Sequence, residues 1–208
     1  MTTTSPTAPT ARATDRDWPS VARGLVPALA ELAPVHDREG SFVSPGVGML
    51  RDAGILGMAV PVHLGGDDAR VAEVSRTLTE LARGCPATAL VAAMHLHTTL
   101  TAAWRHRRDG AMAGVLRAAG GGALVASTGG ADLARPTGRV RRVEGGFRVD
   151  GRKRYVSGVP GAAAVSAWFP YDDPEAGPVC LGVGVSPAAA HVRIEETWDA
   201  TGMRGTGS

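Results

Sequence analysis

The chain changes its hydrophobic period once, at Gly120-Gly121-Gly122. Before that point apolar residues recur every three or four positions, the spacing of amphipathic helices. After it they alternate in short runs separated by Gly, Pro and Asp, the spacing of strands. Both patterns in one chain of 208 residues predict an α+β protein. The predicted order is an N-terminal α-helical domain over residues 18–121, then a β-barrel or sandwich domain over 122–208. Residues 1–17, rich in Thr, Ala and Pro, read as a disordered tail.

In the helical half, Ser44-Pro45 opens a helix that Gly54 closes, with Ser44 as the cap. Asp67 and Asp68 suit the N-terminus of the next helix, whose buried stripe is Val71, Val74, Leu78 and Leu81. A third helix spans Thr88 to Arg105, with Leu90, Met94, His97, Leu100 or Thr101, and Trp104 on its inner face. Asp109 caps a fourth, which buries Met112, Val115, Leu116 and Ala119. Gly24, Pro27 and Pro34 interrupt Val21 to Val35, which predicts a kinked or broken helix there, since an interior proline costs about 3 kcal/mol. In the second half, Gly145-Gly146 joins Val140–Glu144 to Phe147–Asp150 as a hairpin. Further strands are expected at Leu124–Ser127, Lys153–Ser157, Ala164–Phe169, Val179–Val185 and His191–Glu195.

Composition removes several function classes. A net charge of +2 gives no footprint for nucleic acid. No stretch approaches the roughly 18 apolar residues of a membrane helix, and the N-terminus lacks an apolar signal core. A cytoplasmic protein is therefore expected, with Cys85 and Cys180 as buried reduced thiols. His95 and His97 stand two apart on a helix and face different ways, so they bind no metal jointly and read as structural residues. His63 and His106 read as loop or surface residues. No Gly-x-Ser-x-Gly elbow is present, and the glycines near the end contain no Gly-Lys-Ser/Thr.

Longer motifs carry a family likeness. Leu50-Arg51-Asp52-Ala53-Gly54-Ile55-Leu56-Gly57 is followed by Val60-Pro61-Val62-His63-Leu64-Gly65-Gly66. Glu80-Leu81-Ala82-Arg83 and Cys85-Pro86-Ala87-Thr88-Ala89-Leu90 come next. In order and spacing these segments resemble the acyl-CoA dehydrogenase superfamily, and the half after Gly122 is similar to that family's middle β-domain. The resemblance implies FAD. Lys153-Arg154-Tyr155-Val156-Ser157-Gly158 resembles a flavin-lining strand, with Tyr155 stacking near the ring and Ser157 hydrogen-bonding it. Residues two apart on a strand share a face, so an aromatic plate and a hydroxyl there suit a flat polar-edged ring. An ordinary half-buried strand would carry the same two residues.

Leu124-Val125-Ala126-Ser127 resembles the other flavin strand, which implies cofactor contacts at Leu124, Ala126 and Ser127. Thr128 and Gly129 depart from the family's Glu-Pro. Ala131 replaces a serine that helps hold acyl-CoA in the dehydrogenases. Met203-Arg204-Gly205-Thr206-Gly207-Ser208 is similar to the monooxygenase branch and reads as a structural turn, with Thr206 and Ser208 as further contacts. The family's C-terminal four-helix bundle, which carries the dehydrogenase base, is absent, and no catalytic residue is assigned.

The resemblance thus implies an FAD-dependent oxidoreductase acting on the CH-CH group of an acyl-CoA-like substrate, homo-oligomeric at full length and inactive as this chain alone. A flavin monooxygenase of the same fold and a non-catalytic remnant are the alternatives.

Overall fold

A computed structural model describes residues 16–208, the side chain of Ala131 excepted. The expected tail lies outside the described residues up to position 15. Asp17, assigned to that tail, instead caps the first helix by accepting a hydrogen bond from the Ser20 backbone at 3.3 Å.

Five helices come first: α1 (Trp18–Glu39), α2 (Ser44–Asp52), α3 (Val71–Gly84), α4 (Pro86–Asp109) and α5 (Ala113–Gly120). Then follow β1 (Val125–Ser127), a short α6 (Gly129–Ala134), β2 (Arg139–Val143), β3 (Gly146–Asp150), β4 (Ala164–Asp173) and β5 (Gly177–Val185). A helical domain followed by strands is the order that the change of period predicts. β4 lies at the centre of a three-stranded sheet, parallel to β1 and antiparallel to β5. β2 and β3 form a separate antiparallel pair around Gly145-Gly146.

Several local expectations are corrected. α1 runs unbroken through Pro27 and Pro34. Both prolines sit on its exposed face, so the carbonyls they leave unbonded, on Arg23 and Ala30, can bond to water. The opposite face buries Trp18, Ala22 and Leu29, and that burial keeps the helix continuous. The cap of α2 is Val43, with Ser44 already helical. The acidic residue in the first turn of α3 is Glu73, while Asp68 pairs with Arg107 instead.

The inner face of α4 is also rotated from the expected one. It buries Ala89, Ala92, Ala102, Ala103, Thr88 and Thr99, whereas Trp104 is exposed. Small residues let this central helix approach its neighbours closely, with Val91, His95 and Leu96 as the larger side chains buried among them. Residues 151–156 and 191–195 are irregular, not strands. Cys85 is buried, with its sulfur at the start of α4, but Cys180 is exposed on β5.

Packing is close at the glycines that end the helical half. A side chain at Gly120 would stand 2.6 Å from the Leu64 carbonyl, and one at Gly122 would strike Arg51. Arg51 Nε instead donates to the Gly122 carbonyl at 2.9 Å. His95 completes the junction. Fully buried on α4, it donates from Nε2 to the Leu56 carbonyl at 2.7 Å and accepts the Val125 N–H on Nδ1 at 2.9 Å. These partners fix the neutral tautomer that carries its proton on Nε2.

Burial pushes the His95 pKa down from about 6.5, outweighing its two backbone hydrogen bonds. The unfolded chain therefore binds the extra proton first, so stability rises with pH. This contribution is fully present above about pH 6.5 and declines as the pH falls below that value. Denaturant unfolding between pH 5 and 8 is expected to show that slope. His95→Phe, which strands a buried carbonyl and a buried N–H, is expected to flatten it and to cost at least about 2 kcal/mol.

Candidate functional site

A groove of about 970 Å³ opens beside β4, between residues 149–156 and residues 191–198. Val165, Ala167 and Phe169 alternate along β4, so one face of that strand forms the floor. Tyr155 lines the groove, and its side chain is two-thirds exposed, at 66%. Its backbone takes a left-handed φ of 59°, which a non-glycine residue adopts at a cost of about 1–2 kcal/mol. Its ring meets the edge of Trp198 at 6.5 Å between centroids. The left-handed residue is also why the expected strand fails here.

Hydroxyls gather at one end. Ser157 Oγ lies 2.7 Å from Ser208 Oγ, which lies 2.9 Å from Thr206 Oγ1. Thr206 Oγ1 donates to the Met203 carbonyl at 3.0 Å. Each hydroxyl has one proton, so Ser208 must donate to Thr206 and Ser157 to Ser208. Ser157 thus keeps only acceptor lone pairs for any further partner.

The segment is pinned on both sides. Gly158 N–H donates to the Thr206 carbonyl at 2.9 Å, and Val43 N–H to the Gly205 carbonyl at 3.1 Å. Arg204 Nε donates to the Asp37 carbonyl at 2.7 Å. The turn at Met203–Ser208 therefore ties α1 to the site.

The residues expected to contact a cofactor divide. Tyr155 lines the groove, and Ser157 joins it through Ser208, itself a lining residue. Ala126 stands in register with Val165, on the floor side of the sheet, but is buried. Ser127 stands beside Ser166, and the strand period of two turns it to the other face. There its Oγ is buried and meets no hydrogen-bond partner among the described residues. Leu124 is packed into the helical core. Register with β4 thus turns Ser127 away from the groove, while Leu124, which precedes β1, is taken up by the helical core.

Sequence reasoning missed the network that supports this wall. Lys153 Nζ lies 2.7 Å from Asp132 Oδ1, with both side chains about nine-tenths buried. Nζ also donates to the carbonyls of Thr137, at 2.8 Å, and Trp168, and sits 4.1 Å from the centre of the Phe169 ring. Asp132 Oδ2 accepts from Thr128 Oγ1 at 2.6 Å and from Trp168 N–H at 3.3 Å. Burial raises the Asp132 pKa, but the hydrogen bonds from Lys153, Thr128 and Trp168, with the lysine charge, outweigh it and hold the carboxyl below the usual range. One signal was available: Lys153 is the only lysine in the sequence. No group of three or more His, Cys, Asp or Glu side chains converges to hold a metal among the described residues. No described helix is long and apolar enough to cross a membrane.

Residues 18–109 match the acyl-CoA dehydrogenase N-terminal domain. A pigment production hydroxylase of Rhodococcus is 30% identical over 196 residues, which cover 88% of this chain and 45% of the relative. A crystal structure of a nitrososynthase from Micromonospora carbonacea is 25% identical with a TM-score of 0.80, over 92% of this chain and 50% of that one. The structure of KijD3 with FMN and a dTDP-linked amino sugar is 26% identical with a TM-score of 0.80, over 94% of this chain and 51% of that one. The chain spans about half the length of the curated relatives it matches.

Lys153→Met leaves Asp132 buried without its cation and is expected to cost about 3 kcal/mol. Pairing it with Asp132→Leu should recover part of that loss, because no lone charge remains. Lys153→Arg should fail to rescue, since a planar guanidinium cannot reproduce the compact contacts of an ammonium. Denaturant unfolding of the four proteins checks this.

Proposed function

Because the chain belongs to the acyl-CoA dehydrogenase superfamily, we propose that the groove beside Tyr155 is one wall of a flavin site in an oxygen-using flavoenzyme. The observation that carries the reading is Tyr155 itself, an exposed aromatic ring held over the groove by a strained backbone. Strain of this kind clusters where a side chain must be presented to a ligand.

The residues fit the group. The volume lies within the usual range of small-molecule sites. Tyr155 offers a flat apolar face, and Ser157 offers lone pairs to a ring N–H. Arg154, lining the groove, supplies positive charge for a phosphate tail, while Arg152 is paired with Glu195 on the facing wall. The flavin, when bound, supplies the redox chemistry, and the protein's share is to orient the ring and tune its surroundings. Lys153 and Asp132 stiffen the segment that carries Tyr155. FMN leads over FAD in this reading because KijD3, similar across nearly the whole chain, was crystallised with FMN.

Dehydrogenation of an acyl-CoA is the second reading, supported by the match over residues 18–109. Ala131, standing where the dehydrogenases use serine for the acyl-CoA, favours the first.

Titration of the full chain with FMN and with FAD, followed by flavin fluorescence, tests the proposal. Saturable quenching is expected. Tyr155→Ala should weaken it roughly two- to tenfold, the worth of one aromatic stack. An unquenched signal at millimolar flavin, or an unchanged Tyr155→Ala variant, overturns it. Prompt bleaching of bound oxidised flavin by an acyl-CoA would favour the second reading.

A further inference from the structure

On the helical domain, His63 and His106 face each other through their Nε2 atoms at 3.1 Å, with ring centroids 5.4 Å apart. They come from separate elements. His63 lies in a tight turn at Val62–Leu64, and His106 in the last turn of α4, 43 residues later. The Nδ1 of His106 is 2.9 Å from the Ala111 carbonyl. A carbonyl can only accept, so Nδ1 carries the proton and the neutral ring holds its lone pair on Nε2, toward His63. This is how metal-ligating histidines are oriented: the distal N–H is given to a backbone carbonyl, and the ligating nitrogen is left bare.

We propose that His63 and His106 form a binding site for a divalent transition ion such as Zn²⁺ or Cu²⁺, with water in the remaining positions. Ligand bonds of about 2.0 Å to two nitrogens of one ion place those nitrogens roughly 3 Å apart, the separation found here. Two imidazoles select this class of ion over Mg²⁺ or Ca²⁺, which take oxygen ligands. The surrounding charge does not oppose it. Arg105 pairs with Asp109 and Arg107 with Asp68, so the cations flanking His106 are already neutralised. Bound metal would clamp the Val62–Leu64 turn to the end of α4 and raise stability by mass action.

Calorimetric titration of the full metal-free chain with Zn²⁺ tests the site, with the same titration of His63→Asn, His106→Asn and His97→Asn. His97 is exposed on α4 and serves as the control. One ion per chain is expected, with affinity falling by at least about tenfold in each of the first two variants and unchanged in the third. Cu²⁺ bound to the wild-type chain should show two nitrogen ligands by electron paramagnetic resonance. Thermal unfolding without metal shows whether each variant is folded. Equal Zn²⁺ uptake by the wild type and both pair variants, or no uptake, overturns the proposal and identifies a hydrogen-bonded pair only.

Discussion

One imidazole holds the helical half to the sheet. His95 takes a carbonyl from the turn after α2 and an amide from the first residue of β1, and both are buried. β1 is three residues long and pairs only with β4. Its position therefore rests on α4 as much as on its own ladder. Residues 127–132 follow directly, so the placement of Thr128 and Asp132 depends on the same contact. Protonation would set a second N–H against the Val125 N–H, turning an attraction into a repulsion with no water to relieve it.

From Asp132 the dependence passes to Lys153 and then to Tyr155, two residues further on. Otherwise basic residues here are arginines, and one lysine is used where the cation is buried. Three tetrahedral donors can be spent on a carboxylate and two carbonyls at once, which a planar guanidinium cannot copy in the same space. A firm anchor of this kind is what allows the neighbouring Tyr155 to keep an unfavourable backbone angle. At the far end, the Met203–Ser208 turn fixes Ser157 by the same economy of backbone bonds.

The order of helices then strands was legible because periodicity survives in a single sequence. The hairpin was legible from Gly145-Gly146, and the burial of Leu116 and Ala119 from their spacing. The face of α4 was not, because much of its buried side is alanine and threonine, which a search for large apolar residues passes over, while the large Trp104 is exposed. The prolines of α1 misled because their cost depends on which side of the helix meets water, a tertiary fact. At the site, the family resemblance points to Tyr155 and Ser157, and the strand rule that agrees with it is broken by the chain at Tyr155 itself. They still converge on one groove, through Ser208, a partner 51 residues away that no local pattern could supply. Ser127 is turned away by register and Leu124 is claimed by the helical core, and a sequence shows either only once the packing partner is known.

β5 gives the sheet an unfinished border. β4 occupies one side of it, and no described strand lies along the other. Val179, Leu181, Val183 and Val185 alternate there with Cys180, Gly182 and Gly184, so the outer rail of amides and carbonyls is flanked by little bulk. Pro178 withholds one donor near its start. An extended segment laid along that rail would be zipped on by main-chain bonds regardless of its side chains, so the sheet can be lengthened from this side without disturbing the groove floor on β4.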